Sequence, residues 1–225
     1  MDSQGITGNF MEANAEALAI AIFKGDKATD ADLKELDKFT GGHIAAALKS
    51  EEITGDVGET ALIRISPKGK VKATRLLLVG VGDKKEYKAS AVAVAAGCAA
   101  RTLRKLNVKT FAFSPRSAGN AVEIAQNAVV GVVTSQFEHD KYKTKDKNSK
   151  AITGFSVHIS DASAADLKKG VARGLAVGDS MNFTRDLANE PPNILTPTEM
   201  ANRAMKMAKE VGLKCEILDE AKMKK

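Results

Sequence analysis

Apolar and polar positions along the chain follow two rhythms. Residues 17–23, ALAIAIF, form a short apolar run between polar flanks, as a buried strand does. TALIRIS at residues 60–66 alternates like a half-buried strand, Pro67 and Gly69 make a turn, and RLLLVGVG from Arg75 reads as a fully buried strand. These two are expected to pair as a hairpin. VKTFAFS (108–114) and ITGFSVHIS (152–160) predict two more strands. Elsewhere the period lengthens. Leu33 and Leu36 stand at helical spacing within 30–39, and a glycine break at Gly41 opens a second short helix. Residues 89–106 predict an Ala-rich helix able to approach a sheet closely, and residues 118–135 place Val122, Ala125, Val129 and Val132 along one helical face. Strand, helix, strand pair, helix, strand, helix, strand is the order of an α/β sandwich with a mixed sheet.

Beyond residue 160 the pattern changes. Ser163 and Asp166 make a helix-start pair, and only glycines interrupt the run to about Asn189, which predicts a helix of roughly 36 Å at 1.5 Å per residue. Gly170, Gly174 and Gly178 fall at i, i+4 and i+8, a smooth ridge for close backbone approach, while Lys168, Lys169, Arg173 and Asp179 exclude a membrane span. A helix connecting two domains is expected. Pro191 and Pro192 end it. Thr196 as N-cap, Pro197 at the first helical position and Glu199 three residues into the turn predict a new helix, with an apolar face of Met200, Ala204, Met207, Ala208 and Val211 and a stop at Gly212. CEIL at 215–218 reads as a strand with no sheet to join.

Composition narrows the picture. With 225 residues, 44% hydrophobic and only 4% aromatic, the chain can bury a core built from small aliphatic side chains. No apolar run reaches the 18 or so residues of a membrane span, and MDSQGITGNF has neither a basic nor an apolar leader segment, so a cytoplasmic protein is expected. Cys98 and Cys215, both in apolar surroundings, are expected to be reduced, buried thiols. The net charge of +6 comes from 34 basic against 28 acidic residues spread along the chain, and reads as a solubility feature.

NFTRDLANEPPNILTPTEMA (182–201), supported by RLLLVGVGDKKEY (75–87), FEHDKYKTKDK (137–147) and LKCEILDEAKM (213–223), resembles the leucyl aminopeptidase family of di-metal exopeptidases over nearly the whole chain. The resemblance implies an N-terminal macro-like α/β domain of three layers at 1–165, a connecting helix at 166–189, and at 190–225 the truncated beginning of a C-terminal peptidase domain. In that family two divalent metal ions, manganese or zinc, are held by Asp, Glu and Lys side chains, and the intact protein assembles as a hexamer. The ligands would lie beyond residue 225, so this portion is expected to be inactive alone and to serve assembly or regulation.

The residues themselves agree with that expectation. There is no HExxH, no CxxC, and no Asp/Glu group flanked by glycines at a strand end, so no catalytic, cofactor-binding or metal residue is assigned. Gly80-Val81-Gly82 invites a phosphate-loop reading, but the third glycine of the fingerprint is missing and a plain turn is the simpler reading. His43, His139 and His158 are isolated from one another; Cys98 and Cys215 have no neighbouring base; Ser114, before Pro115, lacks a nucleophile-elbow context. Met200, Met205, Met207 and Met223 read as packing residues. HDKYKTKDKNSK (139–150) holds five lysines. A solvated loop is the plain reading; the alternative is an independent nucleic-acid-binding module in which Lys141, Lys143, Lys145 and Lys147 neutralise DNA phosphates.

Overall fold

The computed structural model describes residues 1–116, 119–145 and 149–224. In chain order the strands are β1 (Asp2–Ile6), β2 (Ala17–Ile22), β3 (Thr60–Arg64), β4 (Arg75–Gly80), β5 (Thr110–Ser114) and β6 (Gly154–His158). The helices are α1 (Ala31–Phe39), α2 (His43–Lys49), α3 (Ala89–Lys105), α4 (Ala121–Ser135), α5 (Ala164–Ala188), α6 (Pro197–Val211) and α7 (Glu220–Met223), with a 3-10 turn at Phe10–Glu12. The chain divides into two compact units, Met1–Met181 and Asn182–Lys225.

The first unit is a mixed sheet ordered β1-β6-β5-β2-β4-β3. All neighbours run parallel except β3, which pairs antiparallel with β4 as the expected hairpin. Every side chain of β2 is buried, and its two faces differ in size. Ala17, Ala19 and Ala21 face a layer holding Ala95, Ala96, Ala99 and Ala100 of α3 together with α4 and the start of α5. Leu18, Ile20 and Ile22 face α1 and α2, through Leu33, Leu36, Ile44 and Ala47. Small residues opposite small residues let the long helix α3 lie close to the sheet, while the larger aliphatic side chains fill the space beneath two short helices.

The helical layer closes through glycines. A Cβ at Gly131 of α4 would collide with the Ala93 carbonyl of α3. The ridge predicted on α5 packs on α4: a Cβ at Gly170 would lie 2.5 Å from the Val122 carbonyl oxygen, at Gly174 2.6 Å from the Val129 side chain, and at Gly178 2.8 Å from that of Val133. Ser163 caps α5 as expected, its Oγ accepting from the Asp166 N–H at 3.1 Å and donating to that carboxylate at 2.8 Å. Most of α5 is therefore a packed member of the sandwich.

Several expectations are corrected. β1 carries no apolar signal, yet it joins the sheet edge beside β6; Gln4 donates to Ser156 Oγ at 3.3 Å, and Gly5 admits the Leu167 side chain. α4 begins at Ala121, because the Asn120 side chain accepts from the Val122 and Glu123 N–H groups. In the second unit Thr196 caps α6 through the Glu199 N–H, and Gly212 ends it at φ 74°, both as predicted. Residues 215–218 form no strand, since no described strand of that unit offers a ladder partner. Cys215 is exposed and Cys98 only half-buried. On the predicted apolar face of α6 only Ala208 is buried, and Met200 and Val211 are exposed.

Candidate functional site

From β2 the chain passes through the β3–β4 hairpin to one side of the strand, then returns through α3 to place β5 on its other side. The carboxyl ends of β2 and β5 thus flank a topological switch point, where open α/β sheets form ligand crevices. A cavity of about 480 Å³ opens there. Its lining includes Ile20 of β2, Ser114 at the end of β5, His158 at the end of β6, Ala31, Asp32 and Glu35 on α1, and Lys84, Arg116 and Asp161 from loops.

Arg116 organises one wall. Its side chain is only 4% exposed and forms an ion pair with Asp26, itself 8% exposed. It also donates from Nε to Asp32 at 3.2 Å and from Nη1 to the Ala21 carbonyl at 2.9 Å, and its guanidinium lies 5.1 Å from the Phe23 ring centroid. The charge is thus consumed within the fold. Phe23 packs edge-on against Tyr87, whose hydroxyl finds no partner among the described residues; burial raises its pKa above the usual phenol range, opposed by Arg116.

At the opposite wall His158 donates from Nε2 to the Gly8 carbonyl at 2.6 Å and packs against Phe10 at 5.5 Å. Burial lowers its pKa below the ordinary value, against the Gly8 contact, which raises it. The neutral imidazole with Nε2–H is the form that fits. Ser114, 8% exposed at the end of β5, also lines the crevice.

The Gly80-Val81-Gly82 turn does not present its N–H groups to a ligand. Gly80 donates to Glu59, Val81 to Ile22 at 3.0 Å and Gly82 to Gly55 at 2.7 Å, and Gly80 lacks a Cβ because the Asp56 carbonyl occupies that space. The nearby N–H groups of Thr54, Gly55 and Asp56 converge on the chain's own Glu59 carboxylate, whose pKa is depressed by the Thr54 N–H foremost, then by the Thr54 hydroxyl and the Asp56 N–H. The phosphate-loop reading is thus replaced by an internal clasp.

Of the lysines proposed for nucleic acid, Lys141, Lys143 and Lys145 are exposed on an irregular segment, with the Lys141 ammonium 5.5 Å from the Tyr142 ring; Lys147 lies outside the described residues. His43 and His139 are not among the residues lining the crevice, whereas His158 is. Ser114, Arg116, Lys84 and Asp161 were not legible as a site. The local sign is a charged residue two to four positions beyond the end of a buried strand, and it gains meaning once strand order is known. In the second unit Arg203 donates to Glu190 at 2.8 Å and to Glu199 at 2.8 Å, clasping the Pro191-Pro192 turn to α6; the Glu190 side chain is 1% exposed. Hydrogen bonding to Glu199 and then Glu190 raises the Arg203 pKa.

The model of the N-terminal domain of the cytosol aminopeptidase family matches residues 19–146, more than half of the chain. The chain belongs to the cytosol aminopeptidase family. The model of that family's catalytic domain matches residues 182–225. A probable cytosol aminopeptidase of Solibacter usitatus is 36% identical over 214 residues, 95% of this chain and 41% of its own length. One from Alkaliphilus oremlandii is 28% identical across 100% of this chain and 46% of its own. The chain thus spans less than half the length of these curated relatives. A mutant tomato leucine aminopeptidase shares the fold at TM-score 0.85 and 20% identity, over 100% of this chain and 45% of that one. The bottromycin maturation enzyme BotP in complex with Mn does so at 0.67 and 22%, over 93% and 40%. Among the described residues no group of three or more His, Cys, Asp or Glu side chains is placed to hold a metal ion, and no helix is long and apolar enough to cross a membrane.

Proposed function

We infer that this chain is the N-terminal, non-catalytic portion of a metal-dependent leucyl aminopeptidase, serving the assembly and regulation of the whole enzyme. The parent protein releases N-terminal amino acids, leucine-like ones preferred, from peptides in the cytoplasm. The observation that carries this reading is the family match, over residues 19–146 for the N-terminal domain and over residues 182–225 for the catalytic domain. Residues 1–165 are the macro-like domain, 166–189 the connecting helix and 190–225 the entry to the peptidase domain. Two divalent ions, manganese or zinc, would polarise the scissile carbonyl and activate water in the parent. The described residues of this chain do not gather a ligand set for them, so no catalytic step is assigned here. The exposed Met200, Val211 and Leu218 would be covered by the remainder of the peptidase domain.

Leucine-amide hydrolysis with added manganese or zinc tests the reading: this chain is expected to give no turnover, and metal-dependent turnover would refute it. Sedimentation of the full-length parent is expected to give a hexamer. A second reading, DNA contact, rests on the exposure of Lys141, Lys143 and Lys145. It requires salt-sensitive retardation of duplex DNA that is lost when these lysines are replaced by glutamine.

A further inference from the structure

We propose that the crevice at the carboxyl ends of β2 and β5 binds a zwitterionic short peptide of about dipeptide size with an aliphatic side chain. The cavity's volume, about 480 Å³, lies within the range of small-molecule sites. Ser114, 8% exposed, lies in the lining of this cavity and brings a hydroxyl that can both donate and accept a hydrogen bond.

The charges lining the crevice select the ligand. Arg116 is already neutralised by Asp26 and Asp32, and the N–H groups of Val81 and Gly82 are bonded to Ile22 and Gly55, so little remains to hold a phosphate. What remains is bipolar. Asp161 follows β6, Lys84 follows β4, and the strand order β6-β5-β2-β4 separates those ends by three strand spacings, roughly 14 Å at 4.7–4.9 Å each. Two extended residues span about 7 Å, and the lengths of the Lys84 and Asp161 side chains, both in the crevice lining, are sufficient to make up the difference. The peptide's ammonium faces Asp161, with Glu35 as a second carboxylate in the lining, and its carboxylate faces Lys84. Phe10, Met11, Ile20 and Leu36 supply apolar surface for the aliphatic side chain. Peptides are also what the proposed parent enzyme consumes, so such a site would sense substrate away from the metal centre. Its existence does not depend on that activity.

Isothermal titration of this 225-residue chain, without metal, tests the proposal directly. Leucylleucine is expected to bind with one-to-one stoichiometry. N-acetyl-leucylleucine, which lacks the ammonium, and leucylleucine amide, which lacks the carboxylate, are each expected to bind about tenfold or more weakly, the loss of one charge-assisted contact. Asp161→Asn should weaken leucylleucine but leave the N-acetyl compound unchanged; Lys84→Gln should do the same with the amide as the insensitive partner. Both residues lie in loops, so these variants retain the fold, which a circular dichroism melt checks. Absence of saturable heat up to about 10 mM leucylleucine would overturn the proposal, as would binding of either blocked peptide as tight as that of leucylleucine itself, or binding unaffected by both substitutions. None of these outcomes bears on leucine-amide turnover, so failure here leaves the aminopeptidase reading standing.

Discussion

Arg116 sits two residues after the end of β5 with φ 49°, a left-handed conformation that a non-glycine residue adopts only when its surroundings hold it there. Its bonds to Asp26, Asp32 and the Ala21 carbonyl do so. Removing one partner of a buried pair strands the other charge, so Arg116→Ala is expected to cost about 3–5 kcal/mol of stability in urea unfolding. Arg116→Lys should recover only part of that, because an ammonium cannot donate in a planar fork. His158 gives a pH signature. Its folded pKa lies below the unfolded value near 6.5, so its contribution is complete above that value and is lost as pH falls through it toward the folded pKa. Thermal midpoints should therefore drop between about pH 7 and 5, and His158→Gln should flatten that part of the profile.

At the scale of elements, the helix sandwich depends on missing side chains. An exposed helical Gly→Ala change gains about 1 kcal/mol of propensity. At Gly131 the new methyl would meet the Ala93 backbone, which cannot step aside as a flexible side chain could. Gly131→Ala is thus expected to be net destabilising, by about 1–3 kcal/mol in chemical unfolding. Gly174→Ala, facing the Val129 side chain and the Gln126 carbonyl, should also destabilise, and a gain in stability at either position would contradict the close approach of these helices. The end of α5 and the start of α6 were legible because Pro191, Pro192, Thr196 and Gly212 act through their own backbone geometry. β1 was not legible, because an edge strand of DSQGI gains its place from the ladder with β6 and from Leu167 packing over Gly5. Residues 215–218 show the converse: a strand-like sequence remains irregular without a partner.

At the scale of the whole molecule, the two units differ in how much apolar surface they remove from water. The first buries two clusters, one on each face of its sheet. Among the described residues of the second, Ala208 is the one buried apolar side chain, and Met200, Met205, Leu213 and Leu218 are exposed. Local opening energy follows burial, so amides of α6 should exchange with deuterium orders of magnitude faster than those of β2 in this chain. Comparable protection in both would mean that the second unit is stabilised by contacts other than those described.

The sequence by itself determined the strands of the sandwich other than β1, its helices, the helix boundaries set by proline, glycine and capping residues, and the family, because these depend on local periodicity, on backbone chemistry and on a contiguous motif. Only the tertiary structure decided where chemistry could gather. Lys84, Ser114, Arg116 and Asp161 meet at one crevice because strand order brings the ends of β4, β5, β2 and β6 together. Strand order is a property of the long-range ladder, which no local pattern of hydrophobic and polar residues encodes.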